Sequence, residues 1–133
     1  MKYVNNWQSK TLEILENEVW DETGFRSVLM DRCFKLRKKC LNEFTVEDLR
    51  IMISQQIGLT YLIPLAIEIF KADIFAEGDL YPGDLLKSVL TVGAEFWKAH
   101  LNFGGAVNNL IKERRDELEE ENIPTKEFDL ALS

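Results

Sequence analysis

The segment Tyr61–Phe70, YLIPLAIEIF, is apolar on nearly every side of a helix. A helix of this kind must be covered by other elements, because any face left in water would expose apolar side chains. The segment contains Pro64 and Glu68 and has about half of the roughly 20 residues that cross a bilayer, so we predict no membrane span. It predicts instead a buried central helix at about residues 60–71.

Helical spacing of apolar residues continues through almost all of the remaining chain, and no stretch alternates with the period of two that strands show. Helices are predicted at about residues 9–17, 25–39, 45–58, 60–71, 84–92, 94–100 and 106–122, with 102–105 either a break or a weak helical join. A chain of 133 residues buries enough surface for one core. We predict an all-α fold: a single compact bundle of six to seven helices in one domain, residues 1–133, with a frayed tail at 122–133.

Four of the predicted helices, at about residues 9–17, 25–39, 45–58 and 106–122, have an apolar stripe that we expect to face the core. The stripes are Leu12, Leu15 and Val19; Phe25, Val28, Leu29, Cys33, Leu36 and Cys40; Val46, Leu49, Met52, Ile53 and Ile57; and Val107, Leu110, Ile111 and Leu118. Thr45 and Asp48 have the spacing of a capping box, and Gly58 can end a helix in the left-handed conformation. Beyond Arg114 the last helix is mainly charged, so its final turns should project into solvent.

The net charge of −7 argues against nucleic-acid binding, which needs clustered Lys and Arg, and favours a basic protein partner. One basic cluster interrupts this pattern at residues 32–39, and we interpret it as the solvated C-terminal turn of a helix. Cys33 and Cys40 are too far apart on a helix for a disulfide, and they lack the neighbouring ligands of a metal site. We predict reduced, buried thiols and no metal.

Catalytic patterns are sparse. His100 is the only histidine, so a Cys-His or Ser-His-Asp arrangement would depend on that one residue, and we expect a surface or half-buried helix position for it. The chain has neither a G-x-x-x-x-G-K-[ST] nor a G-x-G-x-x-G motif. We predict no enzyme activity and no cofactor.

The most distinctive loop is FAEGDLYPGDLL, residues 75–86. Its acids align partly with a calcium-binding loop beginning at Asp73, but Phe75 offers no oxygen and Asp84 is too short for the last ligand. Gly78, Pro82 and Gly83 are ordinary turn residues, and acids can cap turns and helix starts. Acids around a tyrosine also suit a protein interface, and the turn and interface interpretations are compatible.

Four segments in order, WQSKTLEILENEVW, LNEFTVEDLRIMISQQIGLTYLIPLAIEIF, FAEGDLYPGDLLKSVL and EFWKAH, resemble the all-helical immunity proteins of bacterial contact-dependent growth inhibition (CDI). The resemblance covers about residues 7–100, and the chain departs from it after Leu101. It implies a cytoplasmic protein that binds and neutralises the C-terminal toxin domain of a cognate surface-delivered effector. Many such toxins are basic nucleases. The N-terminus, MKYVNNWQSK, has no signal-like apolar region, which agrees with a cytoplasmic location.

Charge and expected exposure, rather than the resemblance, lead us to predict the toxin-binding residues. We place Glu77, Asp79, Tyr81 and Asp84 near the contact centre, with Glu68 and Asp73 flanking it. The acidic segment at residues 113–121 is the rival surface. Two other functional classes remain open: a helical adaptor or scaffold that binds a peptide or partner protein, and a small metal-dependent or hydrolytic enzyme.

Overall fold

Nine α-helices and two short 3-10 helices make up the regular structure of residues 3–132, the part of the chain that the computed structural model describes. The α-helices are α1 (Leu12–Glu16), α2 (Val28–Leu36), α3 (Val46–Ser54), α4 (Leu59–Ala72), α5 (Asp84–Leu90), α6 (Ala94–Ala99), α7 (Leu101–Glu113), α8 (Arg115–Glu120) and α9 (Lys126–Ala131). The predicted all-α fold is confirmed. Two more helices are present than we expected, because the last predicted helix divides at Arg114 and the tail forms α9.

Helix α4 is the predicted central element, and α3, α5 and α7 pack against it. Its buried residues are Leu62, Ile63, Ala66, Ile67 and Phe70. The side chains of Glu68 and Lys71, near the end of the helix, remain exposed. Among residues 3–132, no helix combines the length and apolar character that crossing a membrane would require.

Pro64 lies inside α4, past its first turn, where a proline is ordinarily costly. A proline has no N–H, so the carbonyl of Thr60, four residues earlier, loses its helical donor. The hydroxyl of Tyr3 donates to that carbonyl at 2.7 Å. The N-terminal segment therefore supplies the hydrogen bond that Pro64 removes from the helix.

The capping box predicted at Thr45 and Asp48 is confirmed, whereas Gly58 does not end α3, which stops at Ser54 and is followed by the left-handed Gln56 (φ 57°). Thr45 and Asp48 form both hydrogen bonds of a capping box at the start of α3. Gly58 is left-handed, with φ of 66°, at the start of α4. A β-carbon at Gly58 would lie 2.7 Å from Leu12 Cδ1, so a larger residue would also displace the buried side chain of Leu12 in α1.

The predicted inner stripe of α2 is wrong at its N-terminal end. Cys33 and Leu36 are buried, but Phe25 and Val28 are 98% and 89% exposed. The helix begins only at Val28, after the cap residue Ser27, so Phe25 precedes it and does not follow its inner face.

The basic cluster at residues 32–39 is not a freely solvated helix end, as we had interpreted it. Arg37 is 2% exposed and pairs with Glu16, donates to the carbonyl of Glu18 at 2.6 Å, and stacks 4.5 Å from the centre of the Trp20 ring. Acids distant in sequence neutralise cations of this cluster. These contacts hold the loop after α1 against the end of α2.

Residues 122–132 of the predicted tail pack on the core and are helical over Lys126–Ala131, in contrast to the frayed segment we expected, while Ser133 lies outside the described residues. Phe128 in α9 is fully buried, with its ring centre 5.2 Å from that of Trp97. Leu118 and Ile123 are buried as well, so the segment after Arg114 contributes to the core instead of only projecting into solvent. Residues 102–105, which the sequence left open between a break and a helical join, are helical in α7.

We predict that Phe128→Ala lowers the free energy of unfolding by about 3–5 kcal/mol, because it leaves a cavity beside Trp97. Chemical denaturation followed by Trp fluorescence measures the change. Glu127→Ala, at an exposed position of the same helix, is the matched control and should have little effect. Equal stability of the two variants would contradict a packed tail.

Candidate functional site

The acidic loop, defined as residues 73–84, connects α4 to α5 and is closed by its own hydrogen bonds. The N–H of Gly83 donates to the carbonyl of Phe75 at 3.0 Å, and a single β-bridge joins Glu77 to Pro82. Asp73 accepts the N–H of Phe75 at 3.0 Å through its side chain. The loop is therefore a folded turn with a defined shape.

Asp84 organises the loop from inside. Its side chain is buried and accepts the backbone N–H of Gly78 at 2.7 Å, of Leu80 at 3.0 Å and of Tyr81 at 3.5 Å. It is the first residue of α5, one position after the cap residue Gly83. Because the carboxylate is buried, the expected exposure of Asp84 is wrong, and this residue shapes the loop from below the surface.

A second carboxylate, on α3, holds the tip of the loop. Glu47 accepts the N–H of Asp79 at 2.9 Å and the Nε–H of Arg50 at 2.6 Å. The Arg50 guanidinium lowers the pKa of Glu47, with a smaller contribution from the N–H of Asp79. Arg50 Nε also lies 3.8 Å from Asp84 Oδ2, so one cation serves both carboxylates that hold the loop.

Gly78 fits between these two carboxylates because it has no side chain. A β-carbon at this position would lie 2.5 Å from Glu47 Oε1 and 3.1 Å from Asp84 Oδ2. The loop therefore lies directly on α3, and its tip cannot move away without breaking hydrogen bonds to charged acceptors.

The remaining predicted residues are exposed. Glu77, Asp79 and Tyr81 project from the loop, and Tyr81 keeps 38% of its surface accessible with Lys87 Nζ 5.8 Å from its ring centre. Asp73 is exposed at the start of the loop. Glu68 lies apart on α4 and forms an ion pair with Lys71 at 3.1 Å. Five of the six predicted residues thus lie in the acidic loop, four of them exposed, and only Glu68 lies outside it.

Glu47 and Arg50 were missed by sequence reasoning. Their spacing of three is that of a helical ion pair, which the sequence does display. Their contact with the loop joins residues 32 positions apart, and no local pattern predicts such a contact.

The rival acidic surface borders the same loop. Acidic side chains line α8 and its approach, and the chain then turns so that Ile123 reaches Gly83. A β-carbon at Gly83, where φ is 89°, would lie 2.5 Å from Ile123 Cδ1. The segment after α8 therefore packs against Gly83 at the end of the loop.

Chemically, the loop offers negative charge and a tyrosine on a fixed backbone. Within residues 3–132, no group of three or more His, Cys, Asp or Glu side chains is arranged to hold a metal ion. His100 is half-buried and packs on Phe96, with ring centres 4.4 Å apart. The arrangement is suited to recognising a basic surface.

Comparison with known proteins adds one finding. A family model described as CDI immunity proteins matches residues 14–105 of the chain, which include the end of α1, all of α2 to α6, the acidic loop and the start of α7. No curated protein and no solved structure matches the chain.

Asp84→Asn should loosen the loop, because an amide cannot accept hydrogen bonds with both of its polar atoms and at least one backbone N–H is left unpaired. We expect the free energy of unfolding to fall by about 1–3 kcal/mol and amide exchange to accelerate at residues 78–81. Hydrogen exchange followed by mass spectrometry measures both effects. Asp79→Asn, at an exposed position of the same loop, is the control and should leave exchange unchanged; matching profiles would contradict the anchoring role.

The lowered pKa of Glu47 predicts a loss of stability in acid. Its folded-state pKa lies below the ordinary value of 4.5, so its contribution is fully present above that value and is lost as the pH falls through the folded-state pKa. Denaturation between about pH 5 and pH 3 should show a shallower decline for Glu47→Gln than for the wild type. Parallel profiles would show that Glu47 has the same pKa in the folded and unfolded states.

Proposed function

This chain belongs to the CDI immunity protein family, and from that membership we propose that it binds and neutralises the toxin domain of a cognate CDI effector. The proposal makes it a non-enzymatic, cytoplasmic inhibitor, active where a delivered toxin would act. We place its binding site at the acidic loop. The exposed acids of this loop project from a backbone that Glu47 and Asp84 hold by hydrogen bonds.

We propose a basic nuclease as the toxin, inhibited by steric and electrostatic occlusion. A nuclease binds phosphates through a positively charged groove, and carboxylates on a second protein can occupy the same groove. The net charge of −7 supports attraction to such a target over long range. A loop fixed before binding loses little conformational entropy on docking, which favours high affinity.

Within this proposal the predicted residues divide into two roles. Glu77, Asp79 and Tyr81 contact the toxin directly, with Asp73 and Glu68 at the edge of the interface. Asp84 acts indirectly, by holding the backbone from which the first three project. Tyr81 supplies apolar area with a polar end, a combination that interface hot spots favour.

The test is calorimetric titration of this protein with the toxin domain encoded directly upstream of its gene. We expect stoichiometric binding that weakens between about 0.05 and 0.5 M salt, because attraction between charged surfaces is screened. The double variant Asp79→Ala with Tyr81→Ala should bind at least about 10-fold more weakly at low salt.

The matched control removes the same kind of charge from the rival surface, as Glu119→Ala with Glu120→Ala. If that control weakens binding and the loop variant does not, the interface lies on α8 instead. If the wild-type protein fails to bind the toxin at either salt concentration, the proposed function itself is wrong.

A further inference from the structure

We propose that Lys87 pairs with a carboxylate of the toxin domain and thereby determines which basic partners the acidic loop accepts. This inference rests on the proposed function, and it adds one specificity-determining residue to the same interface. It implies that the toxin is not uniformly basic where it meets Tyr81, but presents an acidic side chain there.

Lys87 stands beside the tyrosine that we place at the contact centre. Of the seven residues of α5, six are buried and Lys87 alone is exposed. Its Nζ atom lies 5.8 Å from the centre of the Tyr81 ring. Both residues line a groove of about 220 Å³ next to the acidic loop, with Leu80 and Arg50 among its other walls. A partner that docks on Tyr81 therefore meets Lys87 as well.

The charges in this groove differ from those on the exposed surface of the loop. Lys87 also lines an adjoining groove of about 140 Å³, on the side of α9. The charged residues of the two grooves are three cations and two acids: Arg50, Lys87, Lys126, Asp84 and Glu127. The surface beside Tyr81 is therefore not acidic, although Glu77 and Asp79 project from the loop above it.

The Lys87 ammonium has no anionic partner within the protein. In the part of the chain that the structure describes, residues 3–132, no carboxylate lies within ion-pair distance of its Nζ atom. Arg50, the other cation beside Tyr81, donates to Glu47 at 2.6 Å and lies 3.8 Å from Asp84. The charge of Arg50 is thus compensated by carboxylates of this chain, whereas the charge of Lys87 is stabilised by water.

A partner that covers Tyr81 would remove that water. Residues at the centre of an interface are desolvated together with their neighbours, and Lys87 Nζ is close enough to the ring to be included. An ammonium that loses water without gaining an anion is strongly unfavourable. A uniformly basic surface would add repulsion to this cost. A toxin that docks on Tyr81 must therefore bring a carboxylate to Lys87, while its basic groups meet Glu77 and Asp79.

This pairing would give the interface its selectivity. The exposed acids alone would accept many basic surfaces, because attraction between opposite charges at the rim of an interface has little geometric demand. A cation among them rejects any basic surface that lacks an acid at the matching position. Lys87 would thus separate the cognate toxin from other basic proteins.

The experiment is a calorimetric titration of the upstream-encoded toxin domain with Lys87→Glu, using Lys98→Glu as the matched control. Lys98 is exposed on α6, and neither lysine belongs to an ion pair of the described residues. The two variants therefore change the net charge equally. If long-range attraction were the only effect, both would bind a basic toxin as tightly as the wild type or more tightly.

The proposed pairing predicts the opposite result for Lys87→Glu. We expect this variant to bind at least about 30-fold more weakly, because it leaves a covered toxin carboxylate facing a second acid. Lys98→Glu should bind as tightly as the wild type or slightly more tightly. The loss in Lys87→Glu should persist from about 0.05 to 0.5 M salt, since a covered pair is screened far less than exposed charges.

A charge exchange tests the chemistry of the partner group. Each Asp and Glu of the toxin domain is replaced in turn by Lys, and one of these replacements should restore the binding of Lys87→Glu to within about 10-fold of the wild-type affinity. If no replacement restores binding, the group that meets Lys87 is not a carboxylate and the inference is wrong.

Other outcomes would overturn the inference while leaving the proposed function standing. Wild-type or higher affinity in Lys87→Glu, with the wild-type protein binding normally, would show that Lys87 is not covered. An equal loss in Lys98→Glu would show that the effect does not depend on position. Weaker binding with faster amide exchange at residues 78–81 would assign the loss to a changed loop. Absence of wild-type binding would overturn the proposed function and this inference together.

Discussion

Helix α4 has almost no face that tolerates water, and the arrangement of the other helices follows from the need to cover it. Its buried residues contact elements from both halves of the chain, since α3, α5 and α7 all pack against it. Each fully buried Leu or Ile side chain contributes roughly 1.5–3 kcal/mol relative to exposure. Even the proline inside the helix is accommodated by a distant partner, because Tyr3 occupies the carbonyl that Pro64 leaves free. Part of this cover lies beyond the family match at residues 14–105, since Val107, Ile111 and Phe128 are fully buried.

The acidic residues of the chain have two different physical roles. Glu47 and Asp84 are buried and accept hydrogen bonds from backbone N–H groups, with Arg50 close to both. Burial of a carboxylate is favourable only when its oxygens are satisfied in this way. The hydrogen bonds that Glu47 and Asp84 accept fix the shape of the acidic loop. Glu77 and Asp79 stay in water, where their charge remains available to a partner. The buried pair therefore determines where the exposed pair stands.

The proposed interface joins two kinds of interaction with different ranges. Exposed carboxylates attract a basic partner from a distance and govern the rate of association, an effect that salt weakens. Apolar surface, such as that of the Tyr81 ring, acts only at contact, when water is excluded, and mainly slows dissociation. A surface that holds both, on backbones fixed before binding, would associate quickly and dissociate slowly. Those are the properties that an inhibitor of a delivered toxin requires.

Local signals in the sequence were sufficient for the helical fold, for the central position of α4, for the capping box at Thr45 and for the left-handed Gly58. Each of these depends on residues within about one or two helical turns of each other, where spacing alone decides the outcome. The binding surface stays a prediction, and only the tertiary structure decided which of its residues are accessible. Asp84 turned inward because it meets backbone N–H groups of a folded loop, and Phe25 stayed in water because α2 begins after it. The contacts that set these differences join distant positions, such as Glu47 with Asp79 and Arg37 with Glu16. Sequence periodicity cannot predict such pairs, because they form only once the chain has packed around α4.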